Sequence, residues 1–152
     1  MPYQPRGRYF EEFEPGQEIV SQGRTITEGD IVNFAALTGD WTQIHTDVEY
    51  AKSSMVGERI AHGLLGLSIG TGLLVSLGFV EGTVLLFTGL EWKFKAPIKI
   101  GDTIHAVAKV KNKREMKAAG GGFIFMETRV LNQRDEVTQM GDMTFLVKSR
   151  GS

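Results

Sequence analysis

Cysteine is absent from the 152 residues, which excludes disulfides, thiolate nucleophiles and cysteine-ligated metals. Neither sign of charge is in excess. With 17 Lys and Arg against 18 Asp and Glu the formal net charge is -1, so no global field exists to hold nucleic acid or an anionic membrane surface. Histidine is limited to 3 positions, His45, His62 and His105, in no H-x3-H or H-E-x-x-H spacing, so no metal is expected. Also missing are a G-x-S-x-G elbow, a P-loop, and the preceding strand that would make Gly63, Gly66, Gly70 and Gly72 a dinucleotide fingerprint. Residues 1–16 lack the apolar core of a secretory signal, which makes a cytoplasmic location the expectation. No linker, internal repeat or low-complexity tract interrupts the chain, and it reads as one domain, 1–152, with residues 1–9 as an arm.

What the sequence does contain is a long stretch without charge. Residues 60–80 include no Lys, Arg, Asp or Glu, and His62 is their only ionisable side chain. About 20 apolar residues would span a bilayer. Here, however, Gly63, Gly66, Gly70, Gly72 and Gly78 lower both helix propensity and apolar surface. No second span follows, and no basic cluster flanks this one. The stretch is therefore read as a helix inside a soluble domain, buried on nearly all sides, whose glycines let strand backbone or a ligand come close.

Around this stretch the order of elements is legible. Residues 17–26 read as a first strand. Thr27 is placed to cap a helix with Glu28 and Asp30 in its first turn, Ile31, Phe34 and Ala35 on one face, and Gly39 at its end. Thr46 to Glu49 has the spacing of a capping box for a short helix through Lys52, which leaves 40–45 as a tight loop. Strands are predicted at 84–95, 103–116, 123–132 and 136–148, with Gly120-Gly121-Gly122 as a hairpin connection. In the second of these, Ile104, Ala106, Ala108 and Val110 share one face, and Thr103, His105, Lys109 and Lys111 the other. The expected class is α+β, an antiparallel β-sheet wrapped around a long central α-helix. Sheet edges left open by so small a sheet make a homodimer the expected assembly.

Candidate chemistry concentrates just ahead of the buried stretch. Asp40 and His45 lie five positions apart, so a carboxylate and an imidazole can face one small site and together hold and deprotonate a water. The same residues also fit a plain turn and a hydrogen-bonded surface histidine. His62, at the edge of an apolar helix, fits a satisfied structural group as readily as a ligand contact. His105, on the lysine-bearing face of a strand, reads as exposed. At Gly63, in the first helical turn, backbone N–H groups are unpaired at the positive end of the dipole, a ready site for a developing oxyanion. Packing alone is the alternative there.

The segment TGDWTQIHTDVEYAKSSMVGERIAHGLLGLSIGTGL resembles the signature of MaoC-like dehydratases, the (R)-specific enoyl-CoA hydratases with a hot-dog fold. That pattern runs roughly G-D-x-N-P-x-H-x-D, then A, then I-A-H-G. FKAPIKIGDTI is similar to the family's F-x-x-P-V-x-x-G-D-x-[IL] segment. The resemblance implies reversible hydration of a 2-enoyl-CoA to an (R)-3-hydroxyacyl-CoA, with Asp40 and His45 as the catalytic pair and the N–H of Gly63 on the thioester carbonyl. It puts Thr71 where such hydratases carry a helix serine, and His62 and Gly66 along the path of an acyl chain that follows the glycine-lined side of the helix. An acyl-CoA partner, no cofactor, and a dimer or dimer of dimers are further implications. Lys93, Lys95, Lys109 and Lys111 are candidates for the CoA phosphates. Thr42 stands where Asn is usual and Gln43 where Pro is usual, which bears on how the loop orients the pair. Two rival readings are a hot-dog thioesterase, disfavoured because the helix carries no carboxylate before Glu81, and a non-catalytic acyl-CoA-binding or dimerisation module.

Overall fold

Local signals set several element boundaries in the computed structural model, which describes residues 1–151. Helix α1 (Glu28–Thr38) starts at a capping box: the Thr27 hydroxyl accepts the Asp30 N–H, and the Asp30 carboxylate accepts the Thr27 N–H at 2.8 Å. It ends where Gly39 takes φ 80°, a left-handed C-cap that lets its N–H reach the Ala35 carbonyl. The expected loop over 40–45 is instead half helical, because α2 (Gln43–Thr46) forms a single turn with His45 in it. Asp47, rather than Thr46, then caps α3 (Val48–Lys52), its carboxylate accepting the Tyr50 N–H at 3.0 Å. A carboxylate at the N-cap satisfies an orphan donor and faces the positive helix end, and this wins over the spacing that favoured Thr46.

The uncharged stretch is only partly helical. Helix α4 (Gly63–Val75) has 13 residues. Before it, Ala61 donates to the Ile98 carbonyl and Ile60 bridges Lys99, so the chain reaches the helix start as extended backbone. After it, Gly78 at φ 83° donates to the Val75 carbonyl, and Phe79 and Val80 turn into the core. Leu65, Gly66, Gly70, Leu73 and Leu74 face the sheet. The opposite side is open: Leu64 is 59% and Val75 42% exposed, so burial on nearly all sides does not hold within one chain.

Strands β3 (Val84–Phe94), β4 (Thr103–Met116), β5 (Gly121–Leu131) and β6 (Val137–Lys148) build the sheet with β1 (Glu18–Val20). Its order is β1-β4-β5-β6-β3, antiparallel throughout, with β2 (Arg24–Thr25) also on β4. The first predicted strand is thus divided in two. Ser21 sits in the break and exchanges bonds with Ala106, accepting its N–H on the hydroxyl and donating to its carbonyl. Strand β3 pairs with the last strand, not the next one, so it forms an edge and residues 95–102 cross under the sheet. Gly120 caps a 3-10 turn at φ 67°, while Gly121 and Gly122 already belong to β5. On β4 the expected alternation holds, with Ile104, Ala106, Ala108 and Val110 buried and His105 half-buried. The arm lies on its own chain: Gly7 and Arg8 donate to the carbonyls of Glu81 and Phe79.

Two apolar clusters meet along α4. Leu65 and Leu73 join Ile26, Ile31, Ile98, Ile104 and Val130, and Leu74 joins Phe13, Ala108, Met126 and Phe145; Trp92 packs against both. Among the described residues no helix is long and apolar enough to cross a membrane.

Candidate active site

Asp40 follows the α1 C-cap, His45 stands in the single turn of α2, and His62 and Gly63 occupy the N-cap and first position of α4. Three connections therefore converge on one spot. The His45 Nδ1 lies 2.8 Å from the Ile60 carbonyl. A carbonyl only accepts, so Nδ1 carries the proton, and the lone pair of the neutral ring is on Nε2. Burial holds the pKa of His45 below its ordinary 6.5, opposed by the Ile60 carbonyl and the Asp40 charge and aided by His62. Asp40 is held below its ordinary range chiefly by the Thr42 hydroxyl, which donates to its Oδ1 at 2.6 Å, and by the Thr42 N–H at 3.2 Å. Thr42, one of the two departures in the loop, thus fixes the carboxylate directly. At neutral pH the pair is an ionised carboxylate beside a neutral imidazole.

His62 is 2% exposed. Its Nε2 faces the Asp40 carbonyl at 2.9 Å, and its ring stacks on that of His45 with centroids 3.9 Å apart and 28° between planes. Asp40, His45 and His62 offer ligand atoms within 4.8 Å of one another, a grouping their spacing does not reveal. Each ring has one nitrogen against a backbone carbonyl, which holds the ring and leaves the other nitrogen for proton transfer or ligation.

A cleft of about 720 Å³ opens at this spot, lined by His45, Gly63, Leu64, Phe94, Ile98 and Gln139 among others. Its walls are largely apolar. Gly63 is the first residue of α4, so its N–H has no intrahelical acceptor. A Cβ there would sit 2.7 Å from the Phe94 ring, so glycine is what lets that ring pack against the start of α4.

The other sequence candidates lie elsewhere. Gly66 is buried, with the Gln139 amide and Ile98 in the space a Cβ would take, and Val130 fills the equivalent space at Gly70. Gly66 and Gly70 thus pack against neighbouring side chains, whereas Gly63 borders the cleft and the space beside Gly72 is open. Thr71 lies two turns beyond Gly63, donates to the Leu67 carbonyl at 2.9 Å, and is outside the cleft lining, as are Asp40 and His62. Of the four lysines, Lys95 borders the cleft and Lys111 pairs with Asp142.

Gln139 and Phe94 were not legible as site residues. Gln139 is 2% exposed, accepts the Trp92 indole N–H and donates to the Gly63 carbonyl, both at 3.0 Å. One glutamine in a strand carries no pattern that announces this. The nearest signal was a polar side chain in an otherwise apolar sheet face.

Comparison with known proteins matches residues 11–124 to the MaoC like domain. An (R)-specific enoyl-CoA hydratase of Rhodospirillum rubrum is 32% identical over 143 residues, 94% of both chains. Protein MaoC of Klebsiella aerogenes is 42% identical over 109 residues, 72% of this chain but 32% of that protein, so this chain spans about a third of its length. A solved structure described as monoamine oxidase regulatory protein from Archaeoglobus fulgius superposes with TM-score 0.87 at 38% identity, covering 94% of this chain and 95% of that one.

Proposed function

The chain belongs to the MaoC-like dehydratase domains with the hot-dog fold, and from that membership we propose that it is a hydro-lyase that reversibly hydrates a 2-enoyl-CoA to an (R)-3-hydroxyacyl-CoA. The observation that carries this reading is the ionised Asp40 beside a neutral His45, which lines an apolar cleft together with Gly63 at the start of α4.

In the hydration direction the thioester carbonyl binds at the Gly63 N–H, which stabilises the enolate-like oxygen that develops. Asp40 and His45 hold one water. As its oxygen bonds to C3, a proton passes to His45 Nε2, and the imidazolium, stabilised by Asp40, returns a proton to C2. H and OH are thereby added across the double bond with no cofactor and no covalent intermediate. The acyl chain lies in the cleft against Leu64, Phe94 and Ile98. Lys95, at the cleft border, is the best placed of the lysines for a CoA phosphate. A cytoplasmic site of action accords with such a substrate. The thioesterase reading is not favoured, because α4 carries no carboxylate.

The test is loss of the enoyl-thioester absorbance of crotonyl-CoA, with Asp40→Asn and His45→Gln alongside. Each substitution is expected to lower kcat by on the order of 10² to 10⁴ in a folded protein. Inert wild-type protein across short, long and branched enoyl-CoAs would favour the binding-module reading.

We also propose that two copies pair through β3. This 11-residue edge strand exposes Leu86, Phe87, Leu90 and Phe94, and the open side of α4 adds Leu64. A long apolar strand edge is stable in water only when covered.

A further inference from the structure

The reaction scheme leaves one enclosed histidine of the site without a task. His62 is 98% buried, yet its Nδ1 has no hydrogen-bond partner, so the ring is not there to satisfy a network. Its two organised contacts both go to the catalytic pair. The Nε2 meets the Asp40 carbonyl at 2.9 Å, and that carbonyl can only accept, so Nε2 carries hydrogen and, in the neutral ring, Nδ1 holds the lone pair. An unpartnered lone pair costs less than a stranded N–H donor, which favours this tautomer. The flat of the ring lies against His45, and Phe34 packs on it at 4.9 Å and 56°. Its own backbone is the N-cap of α4, one residue before Gly63.

We propose that His62 is a positioning residue, a clamp that ties the Asp40 backbone, the His45 ring and the Gly63 N–H into one rigid unit. This deepens the hydratase reading and rests on Asp40 and His45 being its working pair. The physical need is plain: the carboxylate follows one helix, the imidazole sits in a one-turn helix, and the carbonyl donor begins a third. Neither α2 nor the bend at Asp40 is long enough to hold its own geometry. Misplacement of a reacting group by about 1 Å can cost on the order of 10²-fold in rate. The groups facing His45 are Asp40, His62 and the Ile60 carbonyl, with Lys95 elsewhere on the cleft wall.

Two variants separate the contacts. His62→Gln keeps an N–H within reach of the Asp40 carbonyl and loses the stacked ring, whereas His62→Phe keeps a ring and loses the N–H. Each is assayed for kcat and KM on crotonyl-CoA, for its pH–rate profile, and for the titration of the His45 ring by NMR. The expected result is a fall in kcat approaching 10²-fold in His62→Phe with KM little changed. In His62→Gln the fall is smaller, and the His45 titration and the acid limb of the profile move up together, because the ring is opened to water. Variants that fold but retain wild-type kcat and His45 titration would overturn the clamp and leave His62 a packing residue. The NMR readout does not depend on turnover. A wild type inert on every enoyl-CoA would defeat the hydratase reading, while an unchanged His45 titration in both variants would defeat the clamp by itself.

Discussion

His45 is pulled in opposite directions by its neighbours, and the balance sets a pH dependence. Burial and His62 disfavour its cation, while the Ile60 carbonyl and Asp40 favour it, and burial is the largest of these. The folded pKa is therefore below 6.5, and the ring is more than half neutral at that pH, when a free histidine is half protonated. Since the proposed base is neutral His45, the acid limb of kcat/KM should have its midpoint below pH 6.5. A pH–rate profile of the wild type checks this; an acid limb at or above 6.5 would contradict it. The linked stability effect has the same sign. Between the folded pKa and 6.5 the unfolded chain binds more protons, so stability rises with pH across that window and is lost below it. Asp40 and His45 were legible because both sit in one short loop. The enclosure that tunes His45 was not, since it comes from His62 and Ile60, 15 or more positions away in sequence.

At the scale of elements, the join between α4 and the sheet is made by one amide. Gln139 on β6 takes the indole N–H of Trp92 on β3 and gives its own to the Gly63 carbonyl on α4, so three elements share it. Gln139→Leu, close in volume, would leave the Trp92 N–H without its acceptor, at a cost of about 1–3 kcal/mol. Urea unfolding should show a lower midpoint at unchanged slope. An unshifted midpoint would mean the two bonds contribute nothing net. Sequence patterns reached the capped ends of α1 and the alternation of β4, because capping and two-residue periodicity are local. They did not reach the pairing of β3 with β6 or the shortening of the central helix. Both depend on contacts between segments far apart: β3 meets the last strand, and residues 76–83 leave the helix to bury Phe79 and Val80. Nor did spacing show that Val130 and Gln139 already occupy the space beside Gly70 and Gly66.

For the whole molecule the open question is what covers β3. Apart from Gly89 and Trp92 every residue of this strand is exposed, and one of its two edges has no strand partner among the described residues. Covering Leu86, Phe87, Leu90 and Phe94 removes from water side chains worth about 1.5–3 kcal/mol each when fully buried, and a symmetric pair counts each of them twice. These side chains are already about half covered within one chain, so pairing gains about half that sum, and light scattering at micromolar concentration should find two copies or a multiple of two. Leu90→Asp places a charge in the seam and should shift the mass to a monomer. The same substitution tests whether the cleft is complete in one chain. Phe94 and Leu64, both cleft walls, are 55% and 59% exposed, so a monomer offers the acyl chain a wall open to water. Its KM for crotonyl-CoA should therefore rise more than its kcat falls, because Asp40 and His45 are positioned by α1, α2 and their connection rather than by β3. A monomeric variant with wild-type KM would place the whole acyl site within a single chain, and the exposed strand would then serve assembly alone.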